Sequence, residues 1–112
     1  MTRVQSTGLV VALMACAPIV LGQGGNAERG KRLFVENGCY QCHGYAGQGG
    51  GAGPRIAPRA PAAGIQYVRK PTGVMPPYTA KVLPDKDLAD IRAFLIAVPA
   101  PPPVKDIPLL NQ

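Results

Sequence analysis

An all-α fold, with one helix at each end and a loop-rich centre, is what the spacing of apolar residues predicts. Helical periodicity recurs in two windows, near residues 27–37 and 85–98, and the stretch between them is crowded with Gly and Pro and has little period of its own. The chain has 112 residues, with 14 Gly, 13 Pro, two Phe, four Tyr and no Trp. That is one small domain with few bulky side chains to fill an interior. A domain of this size buries only about 60% of its unfolded surface, so a bound group that completes the core is expected.

Residues 1–22 read as an export signal. Arg3 supplies a positive start, and Gly8 to Leu21 is apolar except for interruptions at Cys16 and Pro18. The run is shorter than the roughly 17 residues a membrane span needs. Cleavage after Gly22 or after Ala27 would each present small residues to a signal peptidase. A competing reading takes Leu13-Met14-Ala15-Cys16 as a lipidation box, which would tether the chain to a membrane through Cys16.

The first helix is predicted over Ala27–Asn37. Asn26 can cap its free amides, Gly38 stops it in a left-handed conformation, and Glu28 stands four residues before Arg32. Ala27, Gly30, Leu33 and Phe34 share a face. A glycine in mid-helix costs about 1 kcal/mol against alanine, so Gly30 suggests that a second helix passes close by.

Immediately after the helix comes Gly38-Cys39-Tyr40-Gln41-Cys42-His43-Gly44. Two cysteines three apart followed at once by histidine are the attachment signature of a c-type haem. The thiols add to the porphyrin vinyl groups, and the adjacent imidazole is left facing the iron. A structural zinc site would need four Cys or His ligands, and the one further cysteine is Cys16 in the leader. A thioredoxin-like redox pair would need alternating strands and helices around the motif, where this chain has glycine and proline.

From Tyr45 to Ala62 a loop is expected, with Gln48 to Gly53 allowing close backbone approach to the haem edge. Ala63 to Arg69 is expected to form a short helix or turn, stopped by Pro71. In Gly73-Val74-Met75-Pro76-Pro77-Tyr78, Met75 is the only methionine left once the leader is gone. A lone methionine is ordinarily core filler. Set between prolines, this one suits a thioether ligand to iron, which favours the ferrous state. The last helix is predicted from Asp85 to Val98. Asp85, Asp87 and Asp90 lie towards its start, Leu88, Ile91, Phe94, Leu95 and Val98 form its apolar stripe, and Pro99 ends it. Phe94 is expected to pack over Gly30. The tail, 99–112, is proline-rich and no helix is expected in it.

With these elements in order, the chain resembles the class I c-type cytochromes of bacteria. The likeness runs from about Ala27 to Val98 and rests on the Gly30/Phe34 helix, Cys39-X-X-Cys42-His43, the Gly53-Pro54 pair, and Gly73-Val74-Met75-Pro76 before a final helix. It implies crossed terminal helices, a short middle helix and long loops around one covalent haem, in a domain spanning 23–98. It further implies that Cys39 and Cys42 carry the thioethers, that His43 and Met75 are the iron's axial ligands, and that the Pro54 carbonyl orients His43. Tyr67, Arg69 and Tyr78 become expected contacts to the haem edge or its propionates.

The implied function is one-electron transfer in the periplasm, from a dehydrogenase towards a terminal oxidase or another cytochrome, and not enzymatic catalysis. The alternatives are a cytochrome subunit of a dehydrogenase complex, or a haem enzyme or gas-binding protein with a displaceable Met75. The formal charge of +6 becomes +5 without Arg3, and about +3 with two ionised propionates. That excess is too mild for nucleic acid binding and suits an acidic redox partner. Lys31, Arg32, Arg55, Arg59, Arg69, Lys70, Lys81 and Lys86 are the cations from which a docking face would be drawn.

Overall fold

The computed structural model describes residues 24–60 and 66–111. The expected export signal, and Cys16 with it, lies outside the described residues. So does the start of the short helix expected from Ala63, of which Gln66 and Tyr67 are helical and run into a turn.

Helix α1 spans Ala27–Glu36, and the side chain of Asn26 accepts from the Arg29 amide at its start. Its end is closed by two reverse hydrogen bonds, Gly38 N to Val35 O at 3.0 Å and Cys39 N to Phe34 O at 3.1 Å. This pairing needs a left-handed residue just past the cap, and Gly38 takes φ = 74° without the penalty a side chain would bring. The next helix begins almost at once: α2 is the single turn Tyr40–His43. Helix α3 covers Asp85–Ala97, and Val98 after it is already extended ahead of Pro99. Among the described residues there are helices, turns and loops, with no strand.

Helices α1 and α3 pack directly on one another, and Gly30 is what permits it. A Cβ at that position would lie 1.9 Å from the Asp90 carbonyl oxygen and 2.8 Å from the Ile91 nitrogen. Phe94 therefore does not sit over Gly30 as its place in the apolar stripe suggested. The backbone of Asp90 and Ile91 fills that space, leaving no room for a ring. One turn further along both helices, Phe94 meets Phe34 instead, with centroids 5.5 Å apart and planes tilted by 57°. Such a pair contributes about 0.5–1.5 kcal/mol beyond the burial of its area. Leu83, Leu88, Ile91, Leu95 and Ala57 complete the buried cluster.

The same contact carries a polar clasp. Asp90 is only 4% exposed. It accepts from the Asn26 amide at 2.6 Å and from Arg29, whose other terminal nitrogen reaches Asp87 at 2.6 Å. Asp90 is thus a buried partner to α1 and more than an acid placed to suit the α3 dipole. The Asn26 amide first and the Arg29 guanidinium second hold its carboxyl below the usual range.

The tail departs from expectation as well. It forms two 3-10 turns, Val104–Asp106 and Pro108–Leu110. Asn111 folds its amide back to donate to the carbonyls of Val104, Lys105 and Ile107 at 2.7–3.2 Å, and Pro108 sets the backbone for the second turn. A short proline-punctuated segment can therefore order itself by local bonds without a longer helical period.

Candidate functional site

Cys39, Cys42 and His43 stand at relative positions 1, 4 and 5. Cys39 already has helical dihedrals (φ −59°, ψ −35°) as the N-cap of α2. Residues three and four apart in a helix share a face, so both sulfurs and the imidazole point to the same side. That side is a cavity of about 850 Å³, whose wall includes Cys39, Cys42, His43, Pro54 and Met75. The rest of it is largely apolar, with Phe34, Ile56, Leu83, Leu88, Ile91 and Leu95 contributed by α1, the central loop and α3.

His43 is 8% exposed, and its Nδ1 lies 2.8 Å from the Pro54 carbonyl oxygen. A carbonyl can only accept, so Nδ1 carries the proton. In the neutral ring the Nε2 lone pair is then left for a ligand on the cavity side. The loop that delivers Pro54 is fastened to the end of α2: the Gly49 amide donates to the His43 carbonyl at 2.8 Å, and the Ile56 and Ala57 amides share the Gly47 carbonyl. Gly53 brings this loop against the motif, because a Cβ there would stand 3.0–3.1 Å from the carbonyl and Cβ of Cys42. Cys39 and Cys42 are both free of disulfides. Burial pushes the Cys39 thiol up to about 11, so it stays protonated and neutral beside the apolar wall.

Met75 is half-buried in the wall, and its segment is tied at several points. The Tyr67 hydroxyl pairs with the Thr72 hydroxyl at 2.6 Å and accepts from the Thr72 amide at 3.0 Å. The Tyr78 amide donates to the Val68 carbonyl at 3.0 Å, and the Tyr78 hydroxyl donates to the Asn37 carbonyl at 2.6 Å, linking this loop to the end of α1. Tyr67 and Tyr78 both line the cavity.

Arg69 is not among the residues that line the cavity; its guanidinium donates to the Tyr78 carbonyl at 2.9 Å and pairs with Asp85. The opposite charge at the start of α3 draws it there, so it closes the Met75 loop. The clasp of Arg29, Asp87 and Asp90 was not legible from charge spacing alone. Its signal was an aspartate placed directly beside Ile91 in an apolar stripe.

Thiol, thiol and imidazole on one helical face, with a thioether in the same apolar wall, fit a covalently held haem and define the class of the molecule as a c-type cytochrome. Residues 25–95 match the family model described as cytochrome c oxidase, cbb3-type, subunit III, and the chain belongs to that family of c-type cytochromes. Comparison with curated proteins and with solved structures found no match. Membership implies covalently bound haem c and points to electron transfer with redox protein partners, rather than catalysis.

Proposed function

We propose that this protein is a periplasmic one-electron carrier holding a single haem c, with His43 and Met75 on the two axial positions, passing electrons from a dehydrogenase to an acceptor such as a terminal oxidase. The observation that carries the reading is the His43–Pro54 hydrogen bond, which leaves Nε2 open towards the cavity that Met75 and both motif thiols also line. When bound, the haem supplies reversible exchange of one electron between its ferric and ferrous states.

The chain's own residues set the conditions for that exchange. Cys39 and Cys42 keep the group attached, and the Pro54 carbonyl holds the His43 ring in one tautomer and orientation. The apolar wall excludes water and disfavours the more highly charged oxidised state. Met75, a soft neutral donor, favours the reduced state and closes the position at which oxygen or peroxide would bind. Its loop is anchored by Tyr67, Tyr78 and Arg69, so little rearrangement accompanies electron exchange.

A second reading, a cytochrome subunit of a larger oxidoreductase, is favoured by the family description itself, which names a subunit of an oxidase. The deciding measurement is the visible spectrum of protein made with haem-maturation machinery, for the parent and for Met75→Ala. A low-spin spectrum is expected in the folded parent, and the haem should stay attached to the chain through denaturation. Met75→Ala should lower the midpoint potential and admit carbon monoxide. An unaltered spectrum in that variant would mean that another group, such as Lys70 or Lys81, holds the sixth position.

A further inference from the structure

We propose that Arg55, Arg59 and Arg92 form the site that holds the two propionate carboxylates of the haem, in addition to the haem-edge or propionate contacts that the resemblance implies for Tyr67, Arg69 and Tyr78. The proposal rests on the haem reading above and deepens it. The chain has six acidic side chains, and all of them fall among the described residues. Glu28 pairs with Arg32, Asp87 and Asp90 with Arg29, and Asp85 with Arg69. Glu36 and Asp106 form no salt bridge among the described residues. Arg55, Arg59 and Arg92 are the three described arginines without a carboxylate partner, and the remaining residues of the chain contain no Asp or Glu to supply one.

These same three are the cations that line the cavity. Arg92 rises from the middle of α3 and is half-buried. Its Nε donates to the Ala60 carbonyl at 2.8 Å, which fixes the stem and leaves both terminal nitrogens without a partner among the described residues. The bond also ties α3 to the segment that carries Arg59. Arg55 directly follows Pro54, and among the described residues its one side-chain hydrogen bond is a long 3.4 Å donation from Nε to the Gln48 carbonyl. The Arg92 guanidinium is half-buried in the cavity wall, where an anion would offset the cost of its burial, while Arg55 and Arg59 are exposed and add positive charge to the same lining. A carboxylate suits them best, because the fork of N–H donors matches its two oxygens. A haem presents an apolar body and two carboxylates, and the lining offers both apolar side chains and these three guanidinium groups. Glu36, the one acid in the lining, comes from the end of α1 and pairs with none of the three.

The test uses the full chain with haem attached, in the variants Arg55→Gln, Arg59→Gln and Arg92→Gln and the Arg59/Arg92 double. Attachment is read from the spectrum after denaturation, the midpoint by spectroelectrochemistry, and the propionate bands by resonance Raman scattering. Removing a positive partner leaves propionate charge unbalanced, so each variant should lower the midpoint and move those bands. The double variant should change the ferric-to-ferrous ratio at fixed potential about tenfold, which is about 59 mV for one electron. Arg92→Lys should restore part of the shift, and Lys105→Gln, exposed in the tail and outside the cavity lining, should change neither readout. Should Arg92→Gln fail to mature, Arg92→Lys and the two loop variants decide the matter. Propionate bands and midpoints that stay with those of Lys105→Gln in every arginine variant overturn the site. A loss confined to the association rate with an acidic partner also overturns it and assigns these arginines to docking. A parent chain that takes up no covalent haem overturns the haem reading itself, and is told apart because no haem is present to measure.

Discussion

The hydrogen bond between His43 and the Pro54 carbonyl depends on the residue before Pro54, which has no side chain. Gly53 lets the loop lie on Cys42, with space for a hydrogen but little for a methyl group. Gly53→Ala would push backbone against backbone, and the loop would have to retreat, taking the Pro54 carbonyl with it. Overpacking of this kind costs about 1–3 kcal/mol, which chemical denaturation would read. The imidazole, relieved of its acceptor, becomes a weaker donor to iron, so the midpoint should rise. A stable variant with an unchanged midpoint would show that Pro54 does not tune the ligand. The motif itself was legible because covalent attachment demands fixed residues at fixed spacing. That Pro54 touches His43 entered only through the resemblance, since eleven positions of separation say nothing about proximity.

Between the helices, steric fit and charge meet at the same place. Gly30→Ala would set its methyl group inside the Asp90 carbonyl and force α1 away from α3, disturbing the Phe34–Phe94 pair one turn on. The loss should reach the upper end of the roughly 1–3 kcal/mol typical of overpacking, or exceed it. Gly51→Ala, whose methyl group would meet nothing within 4 Å, should be close to neutral by comparison. Asp90 predicts a pH effect with a definite sign. Its folded-state carboxyl lies below the ordinary value of 3.8, so its contribution to stability is fully present above that value and is lost as pH falls through it towards the folded value. Denaturant titrations of the parent and Asp90→Asn should differ at neutral pH and converge in strong acid. A constant difference across that range would mean that the carboxylate charge is not what stabilises the clasp. The helices and their apolar stripes were readable from period alone; which residue of α3 faces Gly30 was not, because a stripe spans several turns and the crossing selects one.

For the whole molecule, the excess of positive charge bears on encounter with redox partners. Complementary charge mainly raises association rates and is screened over about 8 Å at physiological ionic strength. Electron transfer with an acidic partner should therefore slow as salt rises, while the rate within a preformed complex stays nearly constant. Lys70 and Lys81 are exposed and suit the test better than Arg69, which is already paired with Asp85. Replacing both by glutamine should flatten the salt dependence in stopped-flow measurements, and an unaltered slope would place docking on another face. The amino-acid sequence by itself determined the all-α class, the haem-attachment motif, the thioether in its proline-bounded segment and the two long helices, because each is written in local spacing or in residue chemistry. Tertiary structure alone decided that Asp90 is a buried clasp, that Arg69 closes the Met75 loop, and that three other arginines line the cavity. The physical reason is that a charged side chain takes the nearest opposite charge in space. Those neighbours are set by how α1, α3 and the loops pack, across separations of up to 61 residues for Arg29 and Asp90.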